Sequence, residues 1–125
     1  MIQKVLIVDD SKLARMAAKR SLQLIHADWV TLEASNSEEA LVSVKESAPD
    51  FVLLDFNMPG QDGISFAADL RKLDSRISVA VISANRQIEV IHRAQEAGAT
   101  FIAKPLSEQA LRDFFAAAAE QKATP

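Results

Sequence analysis

The sequence predicts an α/β fold: one doubly wound, five-stranded parallel sheet with helices on both faces. Five short apolar runs alternate with five helical patterns along the 125 residues, and the first and third runs are apolar throughout, as in strands buried on both faces. Right-handed crossovers leave few possible strand orders. We predict the order 2-1-3-4-5, which is common in sheets of this kind.

The predicted strands are β-branched or aromatic runs bounded by turn residues. They cover residues 4–8, 29–34, 51–54, 77–82 and 100–103. The second run alternates more between apolar and polar residues, which favours a position at the edge of the sheet.

The predicted helices carry capping signals at their ends. Ser11, Asn36 and Ser107 are expected N-caps, Pro49 is expected to end the second helix, and Gly98 is expected to close the fourth. The helices cover about 12–25, 37–46, 64–73, 87–97 and 108–121. The apolar positions of the first helix are expected to be Leu13, Met16, Ala17, Leu22, Leu24 and Ile25.

The chain is expected to form one domain, because 125 residues leave no room for two. No repeat, low-complexity tract or linker interrupts it. We predict a folded unit over 1–121 and a frayed tail over 122–125. Gly60 and Gly63, in the loop after the third strand, are expected to serve turn geometry.

Composition excludes several classes of function. The chain has no cysteine, so disulfides and thiolate chemistry are excluded. A net charge of −3 without a basic run argues against direct binding to nucleic acid. No apolar stretch reaches the ~20 residues that span a bilayer, and no signal peptide is visible. We therefore expect a cytoplasmic protein that does not contact the membrane.

Polar residues follow four of the predicted strands. Asp9 and Asp10 follow the first, Asp55 the third, Ser83 the fourth and Lys104 the fifth. In open α/β sheets ligands bind beyond the carboxyl ends of the strands. These side chains are therefore expected to converge on one functional site.

Three neighbouring carboxylates repel one another unless they are protonated or hold a cation. Oxygen ligands of this kind suit Mg²⁺, which would also neutralise charge on a phosphoryl group. Asp55 stands alone at the end of a central strand and is the best candidate nucleophile, whereas Asp9 and Asp10 are better placed as metal ligands. Lys104 offers a point charge, and Ser83 a hydroxyl, to phosphoryl oxygens.

The whole chain resembles the receiver domains of bacterial response regulators, which act in two-component signalling and have a flavodoxin-like fold. The resemblance rests on motifs in a fixed order: the acidic pair in 8–11, the segment 54–60 with Asp62 and Gly63, the hydroxyl in Ser83–Ala84, and Lys104–Pro105. One acidic pair is weak evidence, but the full set in this order is highly specific.

The resemblance implies a role for each site residue. Asp55 would be the phospho-acceptor, and Mg²⁺ would be held by Asp10, Asp55 and the backbone carbonyl of Asn57, with Asp9 acting mainly through water. Ser83 and Lys104 would contact the phosphoryl group. Ser83 and Phe101 would form the switch.

Two of these positions depart from the commonest family pattern. Ser83 stands where threonine is more usual, and Phe101 stands where tyrosine is frequent. Both departures put in doubt the transfer of a particular relative's partner to this chain, and neither removes a group that phosphorylation needs.

The resemblance also implies partners. A histidine kinase or histidine phosphotransfer protein would supply the phosphoryl group, and the surface of the fourth helix, fifth strand and fifth helix would signal to a downstream protein. Autophosphorylation and autodephosphorylation are expected, but no classical enzyme activity. The sequence leaves open a homodimer formed on phosphorylation.

Alternative interpretations remain at this point. We expect a stand-alone regulator, and the alternative is the excised receiver domain of a larger DNA-binding or enzymatic regulator. A small aspartate-dependent phosphatase would also use Asp and Mg²⁺, but Asn57 occupies the position of its usual second aspartate. A flavodoxin-like cofactor carrier is disfavoured because the first loop is acidic where a phosphate would need N–H donors.

Overall fold

The computed structural model describes residues 2–58 and 60–123, with the backbone alone for Lys122 and Ala123. The five strands are β1 (Lys4–Val8), β2 (Val30–Ala34), β3 (Phe51–Asp55), β4 (Ser78–Ser83) and β5 (Thr100–Ala103). The five helices are α1 (Lys12–Ile25), α2 (Ser37–Ser47), α3 (Gly63–Leu73), α4 (Ile88–Glu96) and α5 (Glu108–Ala123).

The predicted sheet is confirmed. All strand pairs are parallel, and the order is β2-β1-β3-β4-β5, so β2 lies at an edge as predicted. Boundaries differ from prediction by one or two residues. Asp55 belongs to β3 itself, α4 is one residue shorter at each end, and α5 continues two residues beyond Gln121. The frayed tail over 122–125 stays a prediction, because Thr124 and Pro125 lie outside the described residues and only the backbone of Lys122 and Ala123 is described.

Alternate residues of the central strands face two separate cores. Leu6 and Val8 of β1 pack with α2, α3 and α4, whereas Val5 and Ile7 pack with α1 and α5. Side chains of a strand alternate between faces, so apolar residues throughout β1 and β3 are what a sheet covered on both sides requires.

The apolar residues of α1 divide between a buried face and an exposed face. Leu22 is buried, but Leu13, Met16 and Leu24 are 78 %, 54 % and 66 % exposed, and Ala17 is exposed as well. The face that packs on the sheet and α5 centres on Ala18 and Leu22, nearly half a turn from the exposed residues.

Helix caps follow the local sequence. Ser11, Asn36 and Ser107 accept backbone N–H groups from the first turns of α1, α2 and α5, as predicted. The chain ends α2 at Ala48, in the left-handed conformation, one residue before Pro49. Among the described residues, no helix is both long and apolar enough to cross a membrane.

Candidate functional site

The carboxyl ends of β1 and β3 bring three aspartates together. Asp9 and Asp10 follow β1, and Asp55 ends β3, which pairs with β1 in the sheet. One carboxylate oxygen from each lies within 4.8 Å of the others. The predicted convergence of these carboxylates is therefore present in the structure.

Asp55 is the most buried member of this cluster, with 6 % of its surface exposed. Its Oδ1 lies 2.9 Å from Lys104 Nζ, which reaches it from beyond β5. This ion pair is the contact that the structure gives to Oδ1, which accepts no hydrogen bond from the described residues.

The cluster fits a divalent cation. Asp55 Oδ1 accepts no hydrogen bond from the described residues, and a metal ion would give this buried oxygen a further partner beside Lys104. The donors are all oxygens, which suits a hard cation such as Mg²⁺. Asp10 is exposed, so one side of the cluster is open to solvent, from which an ion could enter and on which it could keep water ligands.

Three hydrogen bonds, made by the N–H, carboxylate and carbonyl groups of Asp9, hold this residue in place. Its N–H donates to the carbonyl of Ala34, its Oδ1 accepts the N–H of Ser11 at 2.9 Å, and its carbonyl accepts Arg15 Nη1 at 2.6 Å. Burial raises the pKa of the Asp9 carboxyl, and repulsion from Asp55 and Asp10 adds to this. The hydrogen bond from Ser11 and the charge of Lys104 only partly oppose the rise.

Ser83, the last residue of β4, is almost fully buried. Its Oγ accepts the N–H of Asn85 at 3.0 Å, and its carbonyl accepts the N–H of Lys104 at 2.9 Å. The hydroxyl oxygen therefore holds the start of the β4–α4 loop in this structure.

The two remaining predicted site residues, Phe101 and Asn57, lie on β5 and in the loop after β3. Phe101 is half-buried on β5, opposite Val81, and packs against the core formed with α2, α3 and α4. Asn57 is exposed in the loop after β3, two residues beyond Asp55. Phe101 thus lies three residues before Lys104 in the chain, on the strand that leads to it.

Gly63 has a role beyond the turn geometry expected of it. A Cβ atom at this position would lie 2.6 Å from the backbone carbonyl oxygen of Asp55. The Gly63 N–H also donates to the carbonyl of Phe56 at 2.9 Å. The first residue of α3 thus packs directly on the backbone that carries Asp55, which only glycine permits.

Two arginines contact the site backbone, although nothing in the sequence singles them out. Arg15 reaches the Asp9 carbonyl, and Arg86 Nη2 donates to the carbonyl of Lys104 at 3.2 Å. Both contacts depend on how helix and loop backbones meet in three dimensions.

A groove of about 580 Å³ leads to the cluster between α1 and the β5–α5 loop. Small side chains of α1 leave it open: Ala14, Ala17, Ala18 and Ser21. Asp55 and Lys104 lie on its lining. A cavity of about 650 Å³ also opens at the opposite edge of the sheet, but Arg71 and Arg76 there already bind backbone carbonyls and Asp74.

Residues 5–116 match the family model of the response regulator receiver domain. The chain belongs to this family. The predicted resemblance is confirmed, and so is the flavodoxin-like fold that it implied, because solved receiver domains superpose on nearly the whole chain.

Relatives of this receiver domain include two Bacillus subtilis proteins. It is 34 % identical over 114 residues to sporulation initiation phosphotransferase F, covering 90 % of each chain. It is 36 % identical over 106 residues to the chemotaxis protein CheY, covering 84 % of this chain and 88 % of CheY.

Among solved structures, the signal receiver domain of the response regulator NarL from Mycobacterium tuberculosis superposes with a TM-score of 0.83. The two are 30 % identical, with 94 % of this chain and 97 % of that chain covered.

Receiver domains are signalling domains of two-component systems. They interact with histidine kinases or phosphotransfer proteins and with downstream targets, and they bind Mg²⁺ in an acidic pocket. In this receiver domain the corresponding acidic cluster is formed by Asp9, Asp10 and Asp55.

Proposed function

We propose that this receiver domain is a phospho-accepting switch of a two-component phosphorelay, in which Asp55 is phosphorylated from a partner phosphohistidine with the help of Mg²⁺. One observation carries the proposal. The Asp55 carboxylate is buried at the end of the groove, beside Asp9 and Asp10 and 2.9 Å from Lys104 Nζ. A nucleophile, a cationic partner for phosphoryl oxygens and a set of metal ligands therefore meet at one point.

The transfer needs an open path to Asp55. We propose that the imidazole ring enters through the groove lined by the small α1 side chains, since Asp55 and Lys104 line the same groove. A carboxylate oxygen of Asp55 attacks phosphorus as the phosphorus–nitrogen bond to the imidazole breaks, and the bonding electron pair returns to the imidazole nitrogen. Lys104 Nζ leaves the Asp55 oxygen for an oxygen of the transferred group.

Asp10, Asp55 and the Asn57 carbonyl would hold Mg²⁺ directly, and Asp9 would act through water. When bound, Mg²⁺ supplies charge neutralisation for the phosphoryl oxygens during in-line transfer. The Ser11 N–H keeps the Asp9 carboxylate oriented.

The switch would act through Ser83 and Phe101. A phosphoryl group on Asp55 offers Ser83 Oγ a stronger acceptor, and as its hydroxyl turns, the Asn85 N–H that it now accepts is released. The β4–α4 loop then moves, and the Phe101 ring fills the space that Ser83 vacates. The α4–β5–α5 surface changes shape and favours a downstream protein, because the phosphate stabilises one of two pre-existing states.

The decisive experiment is phosphorylation by acetyl phosphate with Mg²⁺, followed by intact-protein mass spectrometry. We expect the wild type to gain one phosphoryl group that hydroxylamine removes, as for an acyl phosphate. Chelation of Mg²⁺ should abolish the gain. Asp55→Ala and the isosteric Asp55→Asn should gain nothing, because both lack the nucleophile.

Asp50→Asn is the matched control, because Asp50 lies at the opposite end of β3 and binds the Lys4 N–H. This variant should be labelled like the wild type. Labelling that persists in Asp55→Asn would overturn the assignment of the acceptor.

We propose a folded unit over 1–121 that acts in the cytoplasm as a stand-alone regulator, with the receiver domain of a longer DNA-binding or enzymatic regulator as the alternative. Its relatives include both forms, since two are matched over about nine tenths of their own length and others over less than half of theirs. An antibody raised against the domain would distinguish these forms by the size of the native protein.

Size-exclusion chromatography with and without acetyl phosphate tests for a phosphorylation-dependent homodimer. Turnover of phosphate esters would favour a phosphatase instead.

A further inference from the structure

We propose that Arg15 is a positioning residue for the metal site: it ties the Asp9 carbonyl to Glu33 and so fixes the β1–α1 loop that presents Asp9 and Asp10. This inference rests on the proposed Mg²⁺-dependent function. It assigns to a helix residue outside the acidic cluster a direct influence on metal affinity.

The contacts of Arg15 differ from those of the other basic residues of α1. Arg15 Nη1 donates to the Asp9 carbonyl at 2.6 Å, and Nε pairs with Glu33 Oε1 on β2 at 3.1 Å. Only 15 % of its side chain is exposed, whereas Lys12 and Arg20 lie on the solvent side of the helix. Helical side chains lean towards the N-terminus of their helix, which directs Arg15 at the loop before α1.

The hydrogen bond from Arg15 to the Asp9 carbonyl also restrains the backbone of Asp10. The carbonyl of Asp9 and the N–H of Asp10 belong to one planar peptide unit, so holding the carbonyl orients the start of Asp10. Asp10 is exposed, so its side chain is not enclosed by core packing. The guanidinium therefore supplies order that packing does not.

Glu33 keeps this arrangement compatible with a cation. The Glu33 carboxylate pairs with the Arg15 charge beside the acidic cluster. Hydrogen bonds from Ser35 are the main cause of the lowered pKa of the Glu39 carboxyl, and the Arg15 charge contributes to this lowering. The fork of the guanidinium can reach Asp9 and Glu33 at once, which the single ammonium of lysine cannot do in the same geometry.

Charge and positioning make opposite predictions, which gives a sharp test. By charge alone, removal of a cation near the site should tighten Mg²⁺ binding. By positioning, Arg15→Ala should weaken Mg²⁺ binding about tenfold, as is common when groups that orient metal ligands are removed. Arg15→Lys keeps the charge that repels the ion but loses the fork, so it should weaken Mg²⁺ binding at least as much.

The measurements are the Mg²⁺ dissociation constant by titration calorimetry and the Tm of the metal-free protein. Arg20→Ala, an exposed arginine of the same helix, is the matched control and should bind Mg²⁺ like the wild type. At saturating Mg²⁺ both Arg15 variants should still be phosphorylated by acetyl phosphate, because Asp55 and Lys104 are intact.

Wild-type or tighter Mg²⁺ affinity in Arg15→Ala would overturn the inference, even if its Tm falls. If Arg15→Ala does not fold, wild-type affinity in Arg15→Lys would overturn it equally. A wild-type protein that binds no Mg²⁺ would contradict the proposed function itself. A wild type that binds Mg²⁺ and is phosphorylated, beside Arg15 variants with unchanged affinity, would contradict only the role of Arg15.

Discussion

At the scale of single residues, the clustered carboxylates of the site lower the stability of the metal-free fold. Burial raises the pKa of the Asp9 carboxyl, and Asp55 and Asp10 add repulsion. A folded state whose carboxyl has a raised pKa binds protons more readily than the unfolded chain. Its stability therefore falls as the pH rises through that range, and at neutral pH the ionised Asp9 destabilises the metal-free protein.

Asp9→Asn should stabilise the metal-free domain by roughly 1 kcal/mol at pH 7. The amide oxygen can still accept the Ser11 N–H, while the buried charge is removed. Urea denaturation measures the effect, and the gain should disappear as the pH falls below the ordinary aspartate pKa, because the carboxyl is then protonated in both the folded and the unfolded state. Added Mg²⁺ should stabilise the wild type more than the variant.

Asp28→Asn, which removes an exposed aspartate outside the cluster, should change little. An Asp9→Asn variant no more stable than the wild type at neutral pH would mean that repulsion within the cluster is already relieved.

At the scale of elements, an ion pair joins the start of α3 to α4. Asp62 caps this helix by accepting the Ser65 N–H at 2.8 Å, and its carboxylate pairs with Arg93 of α4 at 3.4 Å. Burial tends to raise the pKa of the Asp62 carboxyl, but these two partners together lower it below its usual range. Its contribution to stability is therefore complete above the ordinary carboxyl pKa and is lost as the pH falls through the lowered one.

Asp62→Ala should cost about 1 kcal/mol through loss of the cap. Asp62→Asn keeps an N-cap oxygen and loses only the ion pair, so its cost should stay below about 0.5 kcal/mol. Denaturation at several pH values checks both. The difference between wild type and Asp62→Asn should vanish at low pH, and a difference that persists there would contradict the ionic origin.

The elements also show what sequence can predict. Strand ends and caps such as Ser11 and Asn36 depend on neighbouring residues, so they were predictable, as was the convergence of Asp55 with Lys104. The buried face of α1 depends on α5, which is distant in sequence, and the apolar content of α1 is shared between two faces. The approach of Gly63 to Asp55, and the reach of Arg15 to Asp9, arise only once backbones are assembled in space.

At the scale of the whole molecule, the acidic site and a stabilising aromatic cluster lie at opposite ends of the sheet. An aromatic cluster occupies the end opposite the acidic site, where Phe51 begins the strand that Asp55 ends. It consists of His26, Trp29, Phe51, Phe114 and Phe115. Phe51 contacts Phe115 with ring centroids 4.8 Å apart. The cluster joins α1 and α5 to the sheet without touching the site.

Phe51→Leu should destabilise the domain by about 1–2 kcal/mol, because several aromatic contacts are lost. The Mg²⁺ dissociation constant should stay unchanged, since no charge or metal ligand moves. Denaturation and calorimetry measure the two quantities separately. Leu24→Ala, at an exposed position of α1, is the control and should alter neither. A weaker Mg²⁺ affinity in Phe51→Leu would show that the two ends are coupled.

The position of Trp29 decides what light emission from this protein can report. Trp29 is the sole tryptophan, the chain has no tyrosine, and its indole stacks on His26 at 3.7 Å and on Phe51 at 5.6 Å. Phe51 and Asp55 stand about 13 Å apart along β3 at ~3.3 Å per residue. The intrinsic fluorescence intensity of Trp29 should therefore change on unfolding and hardly change when Mg²⁺ binds. A fluorophore introduced by Phe56→Trp, beside Asp55, would make the metal visible.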